Sequence, residues 1–499
     1  MSKKNSPVYV LVITVLFTIL FYHHPVGINI FIFNIIVLAA LYYQTRFSFK
    51  NTYLLVVFTG ALLSAFSVLI NLSYFGFTIN VISLFLFAGI LILPETGSLV
   101  TPLRLSVNNT IASFGLFFKN LGDTRLNGQK LGSRIWRARF FIIPVLIILV
   151  FVGLYRHSNP WFHQLLENVG SWLHRILSTI SFGIILTILL GICTGIFLFY
   201  RAYNHRIIEL SSALGDNMIR KKINKRGVRR SMLGLRNELR AAVFLFGILN
   251  IILLIVNSVD VYWVWFNFEW NGQYLKQFVH EGTYLLIISI LLSIVIVLFF
   301  FRRNLNFYSE NKILKLLSYI WLGQNAVLTI SVGIRNFWYI HYFALAYKRI
   351  GVIVFLLLTL YGIYTVFQKV KDMRTAYFLF KRNILAVYLM LLACGMVNWD
   401  SLIARYNFSN WKTAFVHLNY LSSLSFKALP YLDKSAEELY RIEEEQQKLF
   451  PFESRYMSPE EFMQRIRIKK QEFKKSWESK SFLSWNLAEY RAYKKLKFE

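Results

Sequence analysis

Residues 241–265 read AAVFLFGILNIILLIVNSVDVYWVW. Apart from Asp260, no side chain in this stretch carries a charge, and about 20 apolar residues in a row are what the bilayer hydrocarbon requires of a crossing helix. Lipid offers no partner to backbone N–H and C=O groups, so the stretch is expected to be helical. Similar runs lie near 7–22, 25–43, 52–70, 76–93, 138–155, 177–200, 283–301, 313–333, 350–368 and 383–399. The expectation is an all-α, polytopic transmembrane helical bundle of about eleven spans. Lys3 and Lys4 precede the first span, but no small-residue cleavage site follows it and a second span comes at once, so it reads as retained.

Composition agrees. Of 499 residues, 56% are hydrophobic and only 16% charged, against roughly a quarter charged in soluble domains. This excludes a disordered chain and a water-soluble globule. The net charge of +30 would suit a nucleic-acid partner, but the basic residues sit in short loops between spans, which is the pattern of membrane insertion. Nucleic acid is therefore not expected; membrane lipids and partner membrane proteins are. The two cysteines, Cys193 and Cys394, lie inside apolar runs, so neither a disulfide framework nor a cysteine metal motif is available.

The loops alternate in charge. Arg46 and Lys50, then Arg125, Lys130, Arg134, Arg137 and Arg139, then Arg302, Arg303 and Lys312, then Lys369, Lys371, Arg374, Lys381 and Arg382 all fall on one side of an eleven-span chain. The densest run on that side holds Arg220, Lys221, Lys222, Lys225, Arg226, Arg229 and Arg230. By the positive-inside rule the side is cytoplasmic. That places the N-terminus inside and the tail outside, and the dense run is a candidate contact for anionic head groups.

Three parts follow: 1–135, N-terminal membrane helices; 136–400, the membrane core; 401–499, an extramembrane helical segment. A surface helix is expected over 98–119 and an interfacial one over 160–176. The tail holds 13 of the 25 acidic residues. Ser458-Pro459-Glu460-Glu461 reads as a helix start, with a Ser cap, Pro at the first helical position and an acid three residues after the cap. Another helix is expected over 434–449, with Glu437 and Glu438 in its first turn. The closing stretch from Phe482 to Phe498 mixes aromatics with Lys and suits a lipid surface.

Ionisable groups at membrane depth are costly and mark functional candidates. Asp260, His280, Glu281, Arg335, Arg349, Asp400 and Arg405 come from different spans and gather at the outer level, as ion pairs or as a site for an anionic ligand. Gln324 and Asn325, in mid-span, suit interhelical hydrogen bonds or a polar path. Gly191 and Gly195 form a small-xxx-small pair, which suits close helix packing. No HExxH motif occurs and no two histidines have ligand spacing on an expected helix, so neither a metal nor another cofactor is expected. P-loop, kinase and GxSxG motifs are absent too, and no residue is singled out as catalytic.

The second half is similar to a known family. The stretch from Tyr274 through His280-Glu281-Gly282, then Gln324-Asn325, Ser331, Arg335, the Tyr-rich run to Arg349-Ile350, and Asn398-Trp399-Asp400 through Arg405-Tyr406-Asn407 resemble the bacterial multi-pass membrane proteins grouped as domains of unknown function 4153 and 4173. The resemblance covers about 240–430 and implies a bacterial inner-membrane protein, but no reaction. It carries over Glu281, Gly282, Arg335, Arg349, Arg405 and Asn407 without roles. The family often has Gly-Leu-Thr where this chain has Ala344-Leu345-Ala346. Three function classes stay open: a non-enzymatic scaffold, accessory, sensory or transport-related component; an enzyme on a lipid-linked or anionic substrate at the outer interface; a secondary transporter.

Overall fold

The computed structural model describes residues 6–123, 125–126, 129–130, separate positions between 144 and 161, 182–220, 228–268, 272–302, 304–451, 457–496 and 498; of 122–130, 228–233, 272–283 and 304 it describes the backbone alone. These residues are helical almost throughout; strand pairing among them is limited to a two-residue antiparallel pair, Arg125–Leu126 with Gln129–Lys130, and an isolated antiparallel bridge between Asn217 and Arg374. They divide into two compact units, Met1–Ser211 with Ser481–Asn486, and Ser212–Lys480 with Leu487–Glu499.

The first unit contains α1 (Ser6–Phe21), α2 (Ile28–Thr45), α3 (Thr52–Asn71), α4 (Tyr74–Ile90), α5 (Val100–Asp123) and α6 (Phe182–Phe199). Side-chain caps define two of the starts: Asn51 accepts from Tyr53 N at α3, and Ser73 accepts from Gly76 N at α4. The pair Gly191 and Gly195 packs against α1. A Cβ at Gly191 would meet Thr14 Cα at 3.1 Å, and one at Gly195 would meet Val10 Cα at 3.2 Å. The expected surface helix over 98–119 is α5, whereas the expected span 138–155 lies mostly, and the interfacial helix 160–176 almost wholly, outside the described residues.

Buried amides join α2, α3 and α4. Asn34 and Asn80 exchange hydrogen bonds, Nδ2 of each to Oδ1 of the other at 3.1 and 3.0 Å, and Asn80 Nδ2 also donates to Ala61 O and Ser64 Oγ. Both Asn34 (0% exposed) and Asn80 (1%) are fully buried. Neutral groups that satisfy one another are the affordable way to put polarity at this depth.

The first unit ends within α7 (His205–Ser212), and the second contains α8 (Val228–Asp260), α9 (Gly272–Phe300), α10 (Lys312–Phe343), α11 (Tyr347–Lys371) and α12 (Ala376–Gly395). The α8 helix continues as a π-helical turn, Val261–Phe266. Asn250 Nδ2 donates to Leu317 O and Asn257 Nδ2 to Gln324 O, both across 67 residues. A constant offset means that α8 and α10 run in parallel, and a repeat of seven keeps both asparagines on the seam. Buried polar residues at such seam positions fix register.

Among the described residues seven helices are long and apolar enough to cross a membrane: α2, α3, α6, α8 with its π turn, α10, α11 and α12; the apolar helices Ser6–Phe21, Tyr74–Ile90 and Tyr284–Phe300 are shorter. Each of the other ten expected spans thus falls on a described helix, and the chain is a multi-pass membrane protein. The 32 residues of α10 span about 48 Å, well beyond a hydrocarbon core of about 30 Å. Arg335, Tyr339 and Phe343 lie toward its C-terminal end.

The tail builds a core together with residues of the α10–α11 region. It comprises α13 (Trp399–Ser409), α14 (Leu418–Ser422), α15 (Leu429–Leu432), α16 (Ala436–Leu449), α17 (Pro459–Glu478) and α18 (Leu487–Lys495). Ser435 and Ser458 cap α16 and α17 through the N–H groups of Glu438 and Glu461. Ile403, Leu421, Leu429, Phe462 and Phe473 are buried together with Ile340, Leu345 and Ile350 from α10 and α11. The closing stretch turns inward rather than lying wholly on a surface: Ala492 and Leu496 join this core, while Phe482 is exposed.

Candidate functional site

The α10–α11 turn, Ala344-Leu345-Ala346, organises the polar residues of the second unit. Ala344 has φ 65° and ψ −173°, a region that glycine occupies freely and other residues only under strain. Ala346 is the N-cap of α11 and makes no side-chain cap bond. A Gly at 344 would be free to adopt this φ, and a Thr at 346 would bring a hydroxyl to the N-cap position.

Three side chains hold this turn. Arg349 Nη1 donates to the carbonyls of Phe343 and Ala344. These are orphan acceptors at the negative end of α10, where a cation is favoured. The guanidinium also lies over the Tyr339 ring, 4.3 Å from its centroid. Asn407 reads Leu345 in both directions, accepting its N–H at 2.8 Å and donating to its C=O at 3.1 Å. Asn336 Nδ2 donates to Arg349 O at 3.1 Å.

On either side lie the two carboxylates. Asp260, in the last turn of α8, is paired with Arg335 on α10, both of them buried. Just beyond, the π turn is tied to α10 by two indoles: Trp265 Nε1 donates to Ser331 Oγ at 2.9 Å, and Trp338 Nε1 to Val264 O at 3.0 Å. Asp400 accepts from Tyr347 OH at 2.7 Å and from Ser425 Oγ, and is paired with Lys427 Nζ at 3.3 Å. Burial alone would raise its carboxyl pKa; the hydrogen bonds from Ser425 and Tyr347 and the Lys427 ammonium outweigh burial and hold it below the usual value. Nearby Lys469 donates to Ser422 O and Leu424 O, and burial lowers its pKa although Asp400 pulls the other way.

Four of the seven sequence candidates, Asp260, Arg335, Arg349 and Asp400, therefore belong to one connected set of contacts. Arg335 and Tyr339 are a turn apart on α10, Tyr339 meets Arg349, and Tyr347 beside Arg349 reaches Asp400. Arg405 is exposed. His280 and Glu281 lie on α9, and their side chains fall outside the described residues. Gln324 Nε2 donates across the seam to Asn250 Oδ1 at 2.9 Å, whereas Asn325 Nδ2 bonds back to Trp321 O on its own helix. Of the basic run, Arg220 is exposed; Lys221, Lys222, Lys225 and Arg226 lie outside the described residues, and so do the side chains of Arg229 and Arg230 on α8.

Sequence reading missed Asn250, Asn257, Tyr347, Ser425 and Lys427. The seven-residue interval between the two asparagines inside an apolar run was a readable signal. Nothing local marks Ser425 or Lys427, which reach Asp400 only through the fold of the tail. Beside this set the tail bears a half-open cavity of about 490 Å³, lined in part by His417, Tyr420, Ile442, Glu443, Met457 and Arg465. Tyr420 links the two, since its hydroxyl accepts from Tyr347 N at 3.2 Å. Among the described residues no group of His, Cys, Asp and Glu is placed to hold a metal ion.

No curated protein matches this chain. No solved structure matches it either. A family model does, over residues 31–435, a wider range than the second half alone. The chain belongs to the family described as domain of unknown function, DUF4153.

Proposed function

We propose that this protein is a non-enzymatic scaffold of the bacterial inner membrane that holds a folded helical platform at the outer surface and presents it to a partner membrane protein or a sensed ligand. One observation carries the reading. Of the carboxylates named as candidates, the two whose side chains are described, Asp260 and Asp400, are each engaged by a cation, and Arg349 is engaged by helix-end carbonyls and a ring. Chemistry on a lipid-linked substrate would ask for a carboxylate and arginines open to that substrate. The contacts instead fix the α10–α11 turn and seat the tail on it. The cavity of about 490 Å³ is of the size that small ligands use, which supports a sensory variant of the same role. The loop charges support a cytoplasmic N-terminus and an outer tail.

Two measurements test this. In a background with Cys193→Ser and Cys394→Ser, a membrane-impermeant maleimide added to intact cells should label Glu444→Cys, and should label Arg206→Cys only after lysis. The opposite pattern overturns the orientation. A deletion strain should be complemented by Asp260→Leu/Arg335→Met once membrane levels are matched. Complementation abolished at matched level would point to chemistry at this pair.

A further inference from the structure

A concave apolar groove runs along the first unit between α2 and α3. Its volume is about 640 Å³, and Phe31, Ala39, Tyr42, Phe47, Phe58 and Phe66 are among its walls. Hydrophobic surface facing lipid is ordinary, but here the surface is hollow and its walls are braced. Phe47 meets Tyr42, Phe49 and Phe87 edge to face at 5.2–5.6 Å, and Phe49 meets Phe58 at 5.0 Å. Such a cluster keeps the groove open rather than letting it close on itself.

The mouth is charged and fixed. The loop joining α2 to α3 carries Arg46 and Lys50, both exposed. Arg46 is the left-handed C-cap of α2, its N–H bonded to Tyr42 O, and its guanidinium lies 4.9 Å from the Tyr43 ring centroid. At the other end of the loop Asn51 donates to Pro94 O and Thr96 O, both at 2.7 Å. That second loop brings Glu95, the one acidic residue among residues 1–122, which offsets one of the two positive charges without reversing their sign. From Phe31 to Tyr42 the groove follows α2 for about 16 Å, the depth of one hydrocarbon leaflet at about 15 Å.

We infer that this groove is a binding site for one anionic phospholipid, an acyl chain lying along the aromatic wall and its phosphate held between Arg46 and Lys50. Depth, braced walls and charge at the mouth each fit that occupant. An uncharged lipid leaves the mouth unused, and a water-soluble ligand leaves the apolar wall unmatched. The site is distinct in sequence from the basic run at 220–230. With the N-terminus inside, the lipid belongs to the cytoplasmic leaflet, which is the anionic one.

The test uses the delipidated full-length protein in detergent, titrated with phosphatidylglycerol and phosphatidylcholine of identical chains and read by native mass spectrometry. The first phosphatidylglycerol should bind about tenfold more tightly than phosphatidylcholine. Arg46→Gln/Lys50→Gln should erase most of this preference, at up to about fivefold per charge, while leaving chain binding in place. Both positions are exposed, so the double variant should fold. Ala39→Trp should fill the groove and weaken both lipids at least tenfold, with an unchanged melting temperature as its control. Equal binding of the two lipids overturns the inference, as does an Ala39→Trp variant that keeps wild-type binding. So does cross-linking of Ala39→Cys to a cysteine placed within 138–155, which would mean that the chain itself fills the groove.

Discussion

The amide core of α2, α3 and α4 and the C-terminal end of α10 handle buried polarity in opposite ways. Asn34, Asn80 and Ser64 are neutral and satisfy one another. Around α10 the groups are charged, Asp260 with Arg335 and Asp400 with Lys427, and the backbone between them is strained at Ala344. Desolvating an amide costs little once it is paired, so amides can be placed deep in an apolar bundle. Desolvating a charge costs several kcal/mol even when it is paired, so charges suit helix ends, where the partner is close and water is near. The difference teaches which region is a fastener between helices and which is a junction that joins the last helices to the tail.

The largest effect expected from this contrast is at the buried ion pair. Asp260→Leu alone leaves the Arg335 guanidinium buried without its partner and should cost about 3–5 kcal/mol. Asp260→Leu/Arg335→Met should recover most of that loss, because an apolar pair of similar size removes both desolvation terms. Unfolding in mixed detergent micelles reads both. A double variant no better than the single one would mean that the pair does more than neutralise itself.

Next in size is the amide core. Asn80→Leu removes the partner of Asn34 and should cost about 1–2 kcal/mol, since interhelical hydrogen bonds in membranes are individually modest. A loss as large as that at Asp260 would erase the distinction between the two regions. Smaller still, and of opposite sign, is Ala344→Gly. Strain at a glycine-type φ and ψ costs about 1–3 kcal/mol, and the freer unfolded chain and lost methyl offset part of it. A net stabilisation of roughly 0.5–1 kcal/mol is expected, and Ala346→Thr should add roughly as much by capping α11. A melting temperature lowered by Ala344→Gly would show the turn to be relaxed as it stands.

Much of this architecture was legible in the residues. Apolar runs located ten helices because lipid enforces backbone pairing within each span, and Ser458-Pro459 located the start of α17 because cap chemistry is local. Span edges were less legible. Arg335 read as the end of a span, whereas α10 continues to Phe343, because a helix leaving lipid need not stop where its apolar run stops. The candidate layer was legible as a set of residues but not as contacts. That Arg335 faces Asp260, while Arg405 faces solvent, depends on helix rotation, which no single span encodes. Ala344 was noted as a departure from Gly, and only its φ of 65° shows that the backbone there favours glycine.

The smallest effect separates the two charged contacts of the junction from each other. Asp400 sits on α13, outside the spans, and its pKa in the folded protein is held below the usual value, the Ser425 and Tyr347 hydrogen bonds and Lys427 prevailing over burial. The unfolded chain therefore binds a proton more readily than the folded one. The stability that Asp400 contributes is complete above its unfolded pKa near 4, and it drains away as pH falls through the folded-state value. Between about pH 5 and about pH 3 the melting temperature of the wild type should fall more steeply than that of Asp400→Asn, which has no proton to take up there. The two curves should run parallel at neutral pH, offset by the cost of the substitution. Curves that stay parallel through the acid range would remove Asp400 from the contacts that seat the tail, and would leave Asn407 and Arg349 to hold the junction through the turn alone.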